Sequence, residues 1–342
     1  MPTTIVVGGQ YGSEGKGKLV AYLAHTKRVD VAIRCGGPNA GHSVGFNGSF
    51  EIVRQVPAAV IDPQTRLLVA AGALIDPPIL LQEIRRFGLG KRTLGVDGFA
   101  AVISRQHKEQ EARLELRQRV SSTLSGTGAA TASKILREPG LRLAKQIQAI
   151  RKYIVDVAVE VNKAYDDSKN IIIEGTQGFG LSLHHSLQFP FVTSRDTSAS
   201  NFLSEVGLSP RCAAQIIMVV RTHPIRVPGH SGPLEKETSW SAISKSSRSP
   251  TEQHEFTSVT KRLRRVGLFE PEPVKRAVMV NRPTALALQG LDYLSFEDRG
   301  KREYRLLSRK SKKFIAELEK LTAVPVRFIF TGPDLLDMIE TD

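Results

Sequence analysis

The sequence predicts an α/β fold with a mostly parallel central sheet flanked by helices and long ligand-binding loops at the carboxyl ends of the strands. Three observations carry this. Short apolar runs suited to buried strands alternate with helical stretches along the chain. Polar, glycine-rich loops follow those runs. The first such loop, Gly8-Gly9-Gln10-Tyr11-Gly12-Ser13-Glu14-Gly15-Lys16-Gly17-Lys18, stands between a strand and a helix, where α/β folds bind phosphates.

Thr4 to Val7 reads as the first strand and Leu19 to His25 as the body of the first helix. Five glycines in the eleven residues of the connecting loop let its backbone close on a phosphate. Lys16 and Lys18 add positive charge. Gly12 to Lys18 fits GxxxxGK, but Leu19 stands where a P-loop needs Ser or Thr. Val29 to Ile33 is the second strand and leads into Gly36-Gly37-Pro38-Asn39-Ala40-Gly41-His42. Arg66 to Ala71 reads as strand, and Pro77 to Phe87 as an amphipathic helix with proline at its start. Gln106 to Val120 is charged and helical. Ser121 to Gly128 is a third small-residue loop, followed by helix to Arg137. Leu143 to Ala164 reads as one long helix. Asn170 to Ile173 is a buried-type strand ending at Glu174-Gly175-Thr176-Gln177-Gly178, and Ala213 to Val220 is the next. Gly229 to Ser249 lacks periodicity and reads as a mobile loop. Pro273 to Val280 is helical and Ala285 to Leu288 strand. Lys312 to Leu321 is helix with Ser311 as N-cap. Val324 to Phe330 is the last strand, ending in Thr331-Gly332-Pro333-Asp334. With neither repeat nor linker in view, residues 1–342 read as a single domain with inserted loops.

A hydrophobic content of 41% over 342 residues supports a large core. No apolar run is as long as a membrane span and no signal-peptide pattern opens the chain, so a cytoplasmic protein without a membrane partner is expected. The two cysteines, Cys35 and Cys212, lack zinc-site spacing and suit a reducing compartment. A net charge of +14 implies anionic partners. Aromatics make up 6% and are not interleaved with the basic runs, which argues against direct nucleic-acid binding. His184 and His185 have no carboxylate or cysteine at ligand spacing beside them.

The ordered motifs YGSEGKGK, GGPNAGH, STLSGTG with Arg137, EGTQG, FPFVTS, TKRLRR and TGPD resemble adenylosuccinate synthetases through most of the chain. The resemblance implies an adenylosuccinate synthetase-like, P-loop-related fold and a two-step ligase. The 6-oxygen of a purine monophosphate attacks the γ-phosphate of a nucleoside triphosphate, and the aspartate amine then displaces the phosphate. It implies Ser13, Lys16 and His42 as catalytic residues, with His42 the general acid. It implies triphosphate contacts from Gly12, Ser13, Glu14, Gly15, Lys16, Gly17, Gly41, His42, Gln289, Asp292, Gly332 and Pro333. The purine monophosphate falls to Asn39, Ser122, Thr123, Gln177, Thr193, Val227 and Arg262, with Arg137 reaching it from the second subunit of a homodimer. Aspartate falls to Val259, Thr260, Arg262 and Arg264, whose guanidinium groups suit carboxylates. Mg2+ falls to Ser13 and the Gly41 carbonyl.

Two departures bear on the substrate. The family's usual motif has aspartate where Ser13 stands, as the base that takes the purine N1 proton. A serine hydroxyl is no base at neutral pH, and losing a general base costs on the order of 10²–10⁴ in rate. The serine resembles the viral branch of the family, which makes N6-succino-2-amino-2′-deoxyadenylate from dGMP and L-aspartate on the way to 2-aminoadenine in viral DNA. That branch would place the enzyme in a host cytoplasm. The second departure is Gln289-Gly290-Leu291-Asp292, which has glycine at the lysine position of the family's guanine-reading TKLD. ATP or dATP is therefore expected as donor. The alternatives are an ordinary adenylosuccinate synthetase acting on IMP with GTP and, in another class, a catalytically inactive purine-nucleotide sensor.

Overall fold

In the computed structural model, which describes residues 3–46, 49–258 and 260–341, ten strands form one sheet. In chain order they are β1 (Thr3–Gly8), β2 (Val31–Arg34), β3 (Arg66–Val69), β4 (Leu94–Asp97) and β5 (Ile154–Val155). Then follow β6 (Ile171–Glu174), β7 (Gln215–Arg221), β8 (Ala285–Gln289), β9 (Val326–Phe330) and β10 (Met338–Glu340). Across the sheet they run β10-β9-β8-β7-β1-β6-β2-β3-β4-β5. Among these strands only β10 is antiparallel, to β9. The expected mostly parallel α/β architecture is thus observed.

β1 lies at the centre because it is apolar on both faces, as a strand in a doubly covered parallel sheet must be. Ile5 stands level with Ile173 of β6 and Ile216 of β7. Alternate residues serve opposite layers. Ile5 and Val7 pack with Ile33, Ile173, Val220 and Leu288 under the helix Ala199–Val206. Val6 packs with Ala32, Val219 and Ala287 under the helix Lys16–Thr26. Burial of both layers fixes the register, since a one-residue slip would exchange the faces. The carboxyl ends of β1, β2, β6, β7, β8 and β9 therefore come out along one edge, each followed by a loop that carries candidate ligand residues.

Four expectations need correction. Leu143 to Ala164 is not one helix. Its backbone bonds outward instead, from Ala144 N to the Ala100 carbonyl at 2.9 Å and from Lys145 N to the Gly98 carbonyl at 3.1 Å. Two 3-10 turns lead to β5, and Asp156 caps a separate helix, Val157–Asp166. The β-branched pair before a capping aspartate was the local signal. Gln106 to Val120 breaks at Glu115, whose φ of 52° is left-handed. The Gly229–Ser249 segment is not a featureless loop. It contains a short strand, Glu237–Thr238, and a helix, Trp240–Ser247, capped by Ser239. Trp240 is buried with Ile225, Ile243 and Val266. The last helix, Arg309–Thr322, is capped by Ser308 rather than Ser311. Elements outside the expectations include β4, β10, the helix Ala199–Val206 and the hairpin His42–Phe46 with Ser49–Val53. No helix among the described residues is long and apolar enough to cross a membrane.

Phe202 is fully buried where the chain turns after β6, and a Cβ on Gly175 would stand 2.5 Å from its ring. Phe202→Ala should cost about 3–5 kcal/mol of stability. Equilibrium denaturation checks this, with far-UV circular dichroism expected to keep its native shape below the transition.

Candidate active site

At the carboxyl edge of the sheet the loops enclose a cavity of about 890 Å³. Lining it are Gly12, Ser13, Gly15, Lys16 and Gly17 after β1, and Asn39, Gly41 and His42 after β2. Ser122, Thr123, Gln177, Thr193 and Val227 form another part of the wall, with Thr260, Arg262 and Arg264 facing the same space. Gln289, Asp292, Gly332 and Pro333 complete it. Three expected residues stand apart. Val259 lies outside the described residues. Glu14 is beneath the phosphate turn rather than on its surface. Arg137 is exposed at the end of the helix Thr127–Leu136, outside the cavity, beside the exposed Ile135 and Leu136.

The turn after β1 is shaped from below by Glu14. Its carboxylate has no solvent exposure and accepts the Gly12 N–H at 2.8 Å and the Gln10 N–H at 3.2 Å. Lys16 Nζ lies 2.6 Å from the other oxygen, both groups buried. A Cβ on Gly178 would overlap this carboxylate, so glycine is required there for close approach. Gly12, Ser13 and Gly15 have left-handed φ values of 91°, 57° and 103°. That conformation lifts Ser13 into the cavity and leaves the first turn of the following helix without a side-chain cap. Uncapped amides at a helix start suit a phosphate.

His42 is held against this helix, where a Cβ on Gly17 would overlap its own Cβ. Its Nδ1 meets the buried Glu174 carboxylate at the end of β6. Glu174 also takes Arg34 Nη1 at 2.9 Å and the Ala58 N–H at 2.7 Å. Arg34 ends β2 directly opposite Glu174 in the register. Burial, and then the Arg34 charge, push the His42 pKa down to about 4. For Glu174, burial acts upward, but Arg34 and His42 outweigh it and hold the acid below its usual range. Arg34 and Glu174 were missing from the expected site. Their signal was available: opposite charges each close an apolar strand.

On the far side, Lys18 donates to the Gly332 carbonyl at 2.7 Å, and burial lowers its pKa to about 8. Burial raises Asp292 to about 6. Gln289 Oε1 is buried without a hydrogen-bond partner, over Gly15. Gly290 has a φ of 85°, and a Cβ there would sit 3.0 Å from Thr222 Oγ1. Arg226 stacks over Tyr11, 3.9 Å from the ring centre. Among the described residues no group of three or more His, Cys, Asp or Glu side chains could hold a metal ion. The arrangement thus gathers cations, an uncapped helix start and one buried imidazole around a single cavity.

The sequence matches the family model described as "Adenylosuccinate synthetase" over residues 5–149 and 142–301. The chain belongs to the adenylosuccinate synthetase family. It is 40% identical to the adenylosuccinate synthetase of Thermococcus onnurineus over 99% of this chain and 98% of that one. With that of Methanocaldococcus jannaschii it shares 38% over 98% and 96%. Its fold matches the fully ligated adenylosuccinate synthetase from Plasmodium falciparum with a TM-score of 0.88 at 21% identity, covering 100% of both chains. It also matches the succinoaminodeoxyadenylate synthetase of cyanophage S-2L, solved with dGMP and dATP as an energy donor. That match has a TM-score of 0.83 at 26% identity, covering 99% of this chain and 95% of that one. The protein is accordingly a ligase forming C–N bonds, of a family that uses Mg2+ and a nucleoside triphosphate and binds nucleotide substrates and aspartate.

The depressed His42 pKa has a measurable consequence. The unfolded chain binds this proton at about 6.5 and the folded chain at about 4, so His42 contributes stability above pH 6.5 that is lost as pH falls through 4. His223, buried and lowered to about 4 near Arg221, acts in the same sense. Ring resonances of His42 should therefore stay neutral in the ligand-free protein down to about pH 4. An NMR titration with His42→Gln for assignment checks this, and titration near 6.5 would contradict it.

Proposed function

We propose that this ligase joins L-aspartate to C6 of dGMP, with ATP or dATP as phosphoryl donor. The product is N6-succino-2-amino-2′-deoxyadenylate, a precursor of 2-aminoadenine DNA, and the protein belongs to the viral branch, acting in the host cytoplasm. The observation that carries this reading is Ser13. It occupies the exposed tip of the phosphate turn in a left-handed conformation. The adjacent carboxylate, Glu14, is committed beneath the turn and is not a substitute base. Guanine carries a 2-amino donor beside N1–H. A carboxylate at position 13 would bind both donors and hold the base in an unproductive pose. A neutral hydroxyl leaves room and can bond the base or the γ-phosphate.

The donor reading rests on Gly290. Its left-handed backbone excludes a lysine clasp without strain. Gln289 and Asp292 remain beside it, offering an amide and a carboxyl to adenine, with Gly332 and Pro333 opposite. The phage enzyme solved with dGMP and dATP supports the same reading.

The roles follow from charge and placement. Lys16, drawn from Glu14, meets the transferring phosphoryl group. Gly12, Gly15 and Gly17 give the triphosphate close access to backbone amides. His42 in the empty site is neutral. Arriving phosphates favour its imidazolium, which Glu174 supports at Nδ1, and His42 then donates toward the purine 6-oxygen or γ-phosphate. Asn39, Ser122, Thr123, Gln177, Thr193, Val227 and Arg262 hold the monophosphate. Val259, Thr260, Arg262 and Arg264 hold aspartate. Arg137 enters from a second copy of the chain, a role consistent with its exposure beside Ile135 and Leu136. Mg2+ fits here as an ion bound mainly by phosphates and water, since Ser13 Oγ and the Gly41 carbonyl are hard oxygen donors at the same cavity. It would neutralise charge on the transferring phosphoryl group. Residues 1–342 act as one domain in this reading, because loops from Gly12 to Pro333 serve one cavity.

The identity to archaeal adenylosuccinate synthetases favours a second reading, ligation of aspartate to IMP with GTP. Purified protein with aspartate and Mg2+ should be offered dGMP, GMP and IMP, each with ATP, dATP or GTP, and the succinylated nucleotide followed by mass spectrometry. Product from dGMP with an adenine donor, and little from IMP, is expected. Product from IMP alone would establish the second reading, and no product from any pair the inactive sensor. Ser13→Asp should lower kcat/KM for dGMP by roughly tenfold or more, equivalent to about 1.4 kcal/mol. Improved dGMP turnover in this variant would defeat the steric and electrostatic account.

A further inference from the structure

Arg221 closes β7 and is 2% exposed. Three ligand loops meet on it. Nη1 donates to the Ser13 carbonyl at 2.8 Å, and Nε donates to the His223 carbonyl at 3.0 Å. Nη2 pairs with the Glu255 carboxylate, which also takes a hydrogen bond from Tyr293. The main chain of Arg221 is itself pinned by Gln10. Arg221 N donates to Gln10 Oε1 at 2.7 Å, and Gln10 Nε2 donates to the Arg221 carbonyl at 3.2 Å. Glu255 opens the loop that carries Thr260, Arg262 and Arg264, and its carbonyl accepts the Arg264 N–H at 2.8 Å. The next residue, Thr222, donates from Oγ1 to the Gly290 carbonyl at 2.6 Å.

We infer that Arg221 is a positioning residue that sets the Ser13 turn and the 255–264 loop against each other, aligning the phosphoryl-transfer and aspartate-addition halves of the site through one guanidinium. Ser13 holds a left-handed backbone, which an L residue keeps only where its surroundings fix it. The Arg221 bond to its carbonyl is such a restraint, and it fixes the backbone that carries the Ser13 hydroxyl. The same guanidinium carries the charge that keeps Glu255 in place, and Glu255 sets the start of the loop bearing the aspartate-facing arginines. A rigid planar fork with separate donors can serve three acceptors at fixed angles, as a lysine ammonium cannot. The inference rests on the loop assignments proposed above, not on which purine is used.

Positional isotope exchange separates the two halves. Donor labelled with 18O in the βγ bridge is incubated with Mg2+ and whichever of dGMP, GMP or IMP the wild-type protein converts, without aspartate. Bridge scrambling then reports the phosphoryl step alone. Arg221→Met should lower both exchange and complete ligation by about 10²-fold, the scale of a small misplacement of reacting groups. Glu255→Gln should raise the KM for aspartate about tenfold while lowering exchange much less than Arg221→Met does. Exchange and ligation near wild-type levels in Arg221→Met would overturn the inference. So would an equal loss of exchange in both variants. Should Arg221→Met fail to fold, Arg221→Lys keeps the charge but not the fork, and its exchange should fall about tenfold. Wild-type exchange in that variant counts against the inference as well. A failure of the dGMP reading shows separately, as product from IMP alone, and leaves this comparison intact.

Discussion

The structure of the site depends on one carboxylate closed off from solvent. Glu14, fully out of solvent, takes the amides of Gln10 and Gly12 from below and Lys16 from the side. Breaking a buried ion pair by removing one partner costs about 3–5 kcal/mol, because the remaining charge stays desolvated. The neighbours of Glu14 are therefore constrained together. Gly8 and Gly178 leave room for its oxygens, and Gly12 supplies the close amide. The result is a phosphate turn already formed in the empty protein. Its inner donors are used, and its outer ones, at the uncapped start of the helix Lys16–Thr26, face the cavity.

Around that turn the side chains that brace the loops sit on strand ends, which are held more closely than the loops themselves. β6 and β7 flank β1 and deliver Glu174 and Arg221 to opposite sides of the turn. Glu174 governs His42, and Arg221 governs Ser13. Each is a buried charge with a counter-charge beside it, the buried Arg34 for one and the partly buried Glu255 for the other. The desolvation cost of these pairs is offset only by good geometry and extra hydrogen bonds. Both sets are present: Ala58 N–H completes Glu174, and the Ser13 and His223 carbonyls complete Arg221.

Much of this was legible in the sequence for a physical reason. Buried parallel strands must be apolar on both faces, so β1, β6 and β8 announce themselves, and glycines mark where backbone must approach a ligand or a neighbouring group. Nearly all the expected ligand residues line one cavity on that account. What was not legible was decided across space. Ala144 and Lys145 bond to the 98–100 loop, which dissolves the expected long helix. Trp240 and Val266, far apart in the chain, make the small core that orders the 229–249 segment. Glu14 looks like a surface ligand in its motif, and only the fold shows it turned inward. Arg34 and Glu174 become a pair only when β2 and β6 are placed side by side.

The distribution of charge in the cavity separates what fixes the chemistry from what selects the base. Arg226, Arg262 and Arg264 form no ion pair among the described residues, and burial lowers the pKa of Arg226 to about 10. Arg226 and Arg264 are thus buried cations without an ion-pair partner among those residues, unfavourable until phosphate and carboxylate groups arrive, while Arg262 is exposed, so the empty site is arranged to be completed by anions. Such groups suit a phosphoryl donor, a nucleoside monophosphate and aspartate whatever the purine. On the proposed reading the base edges meet a different surface, formed by the uncharged Ser13, Gln289 and Gly290 with Asp292 beside them. On that reading, a single neutral-for-charged exchange at position 13 alters which hydrogen-bond pattern at N1 and C2 is tolerated, while leaving Lys16, His42 and the arginines in place. The scaffold, so read, changes its purine without rebuilding its reaction, because Lys16, His42 and the arginines, which in the proposal meet the phosphoryl, monophosphate and aspartate groups, are untouched by the exchange at position 13.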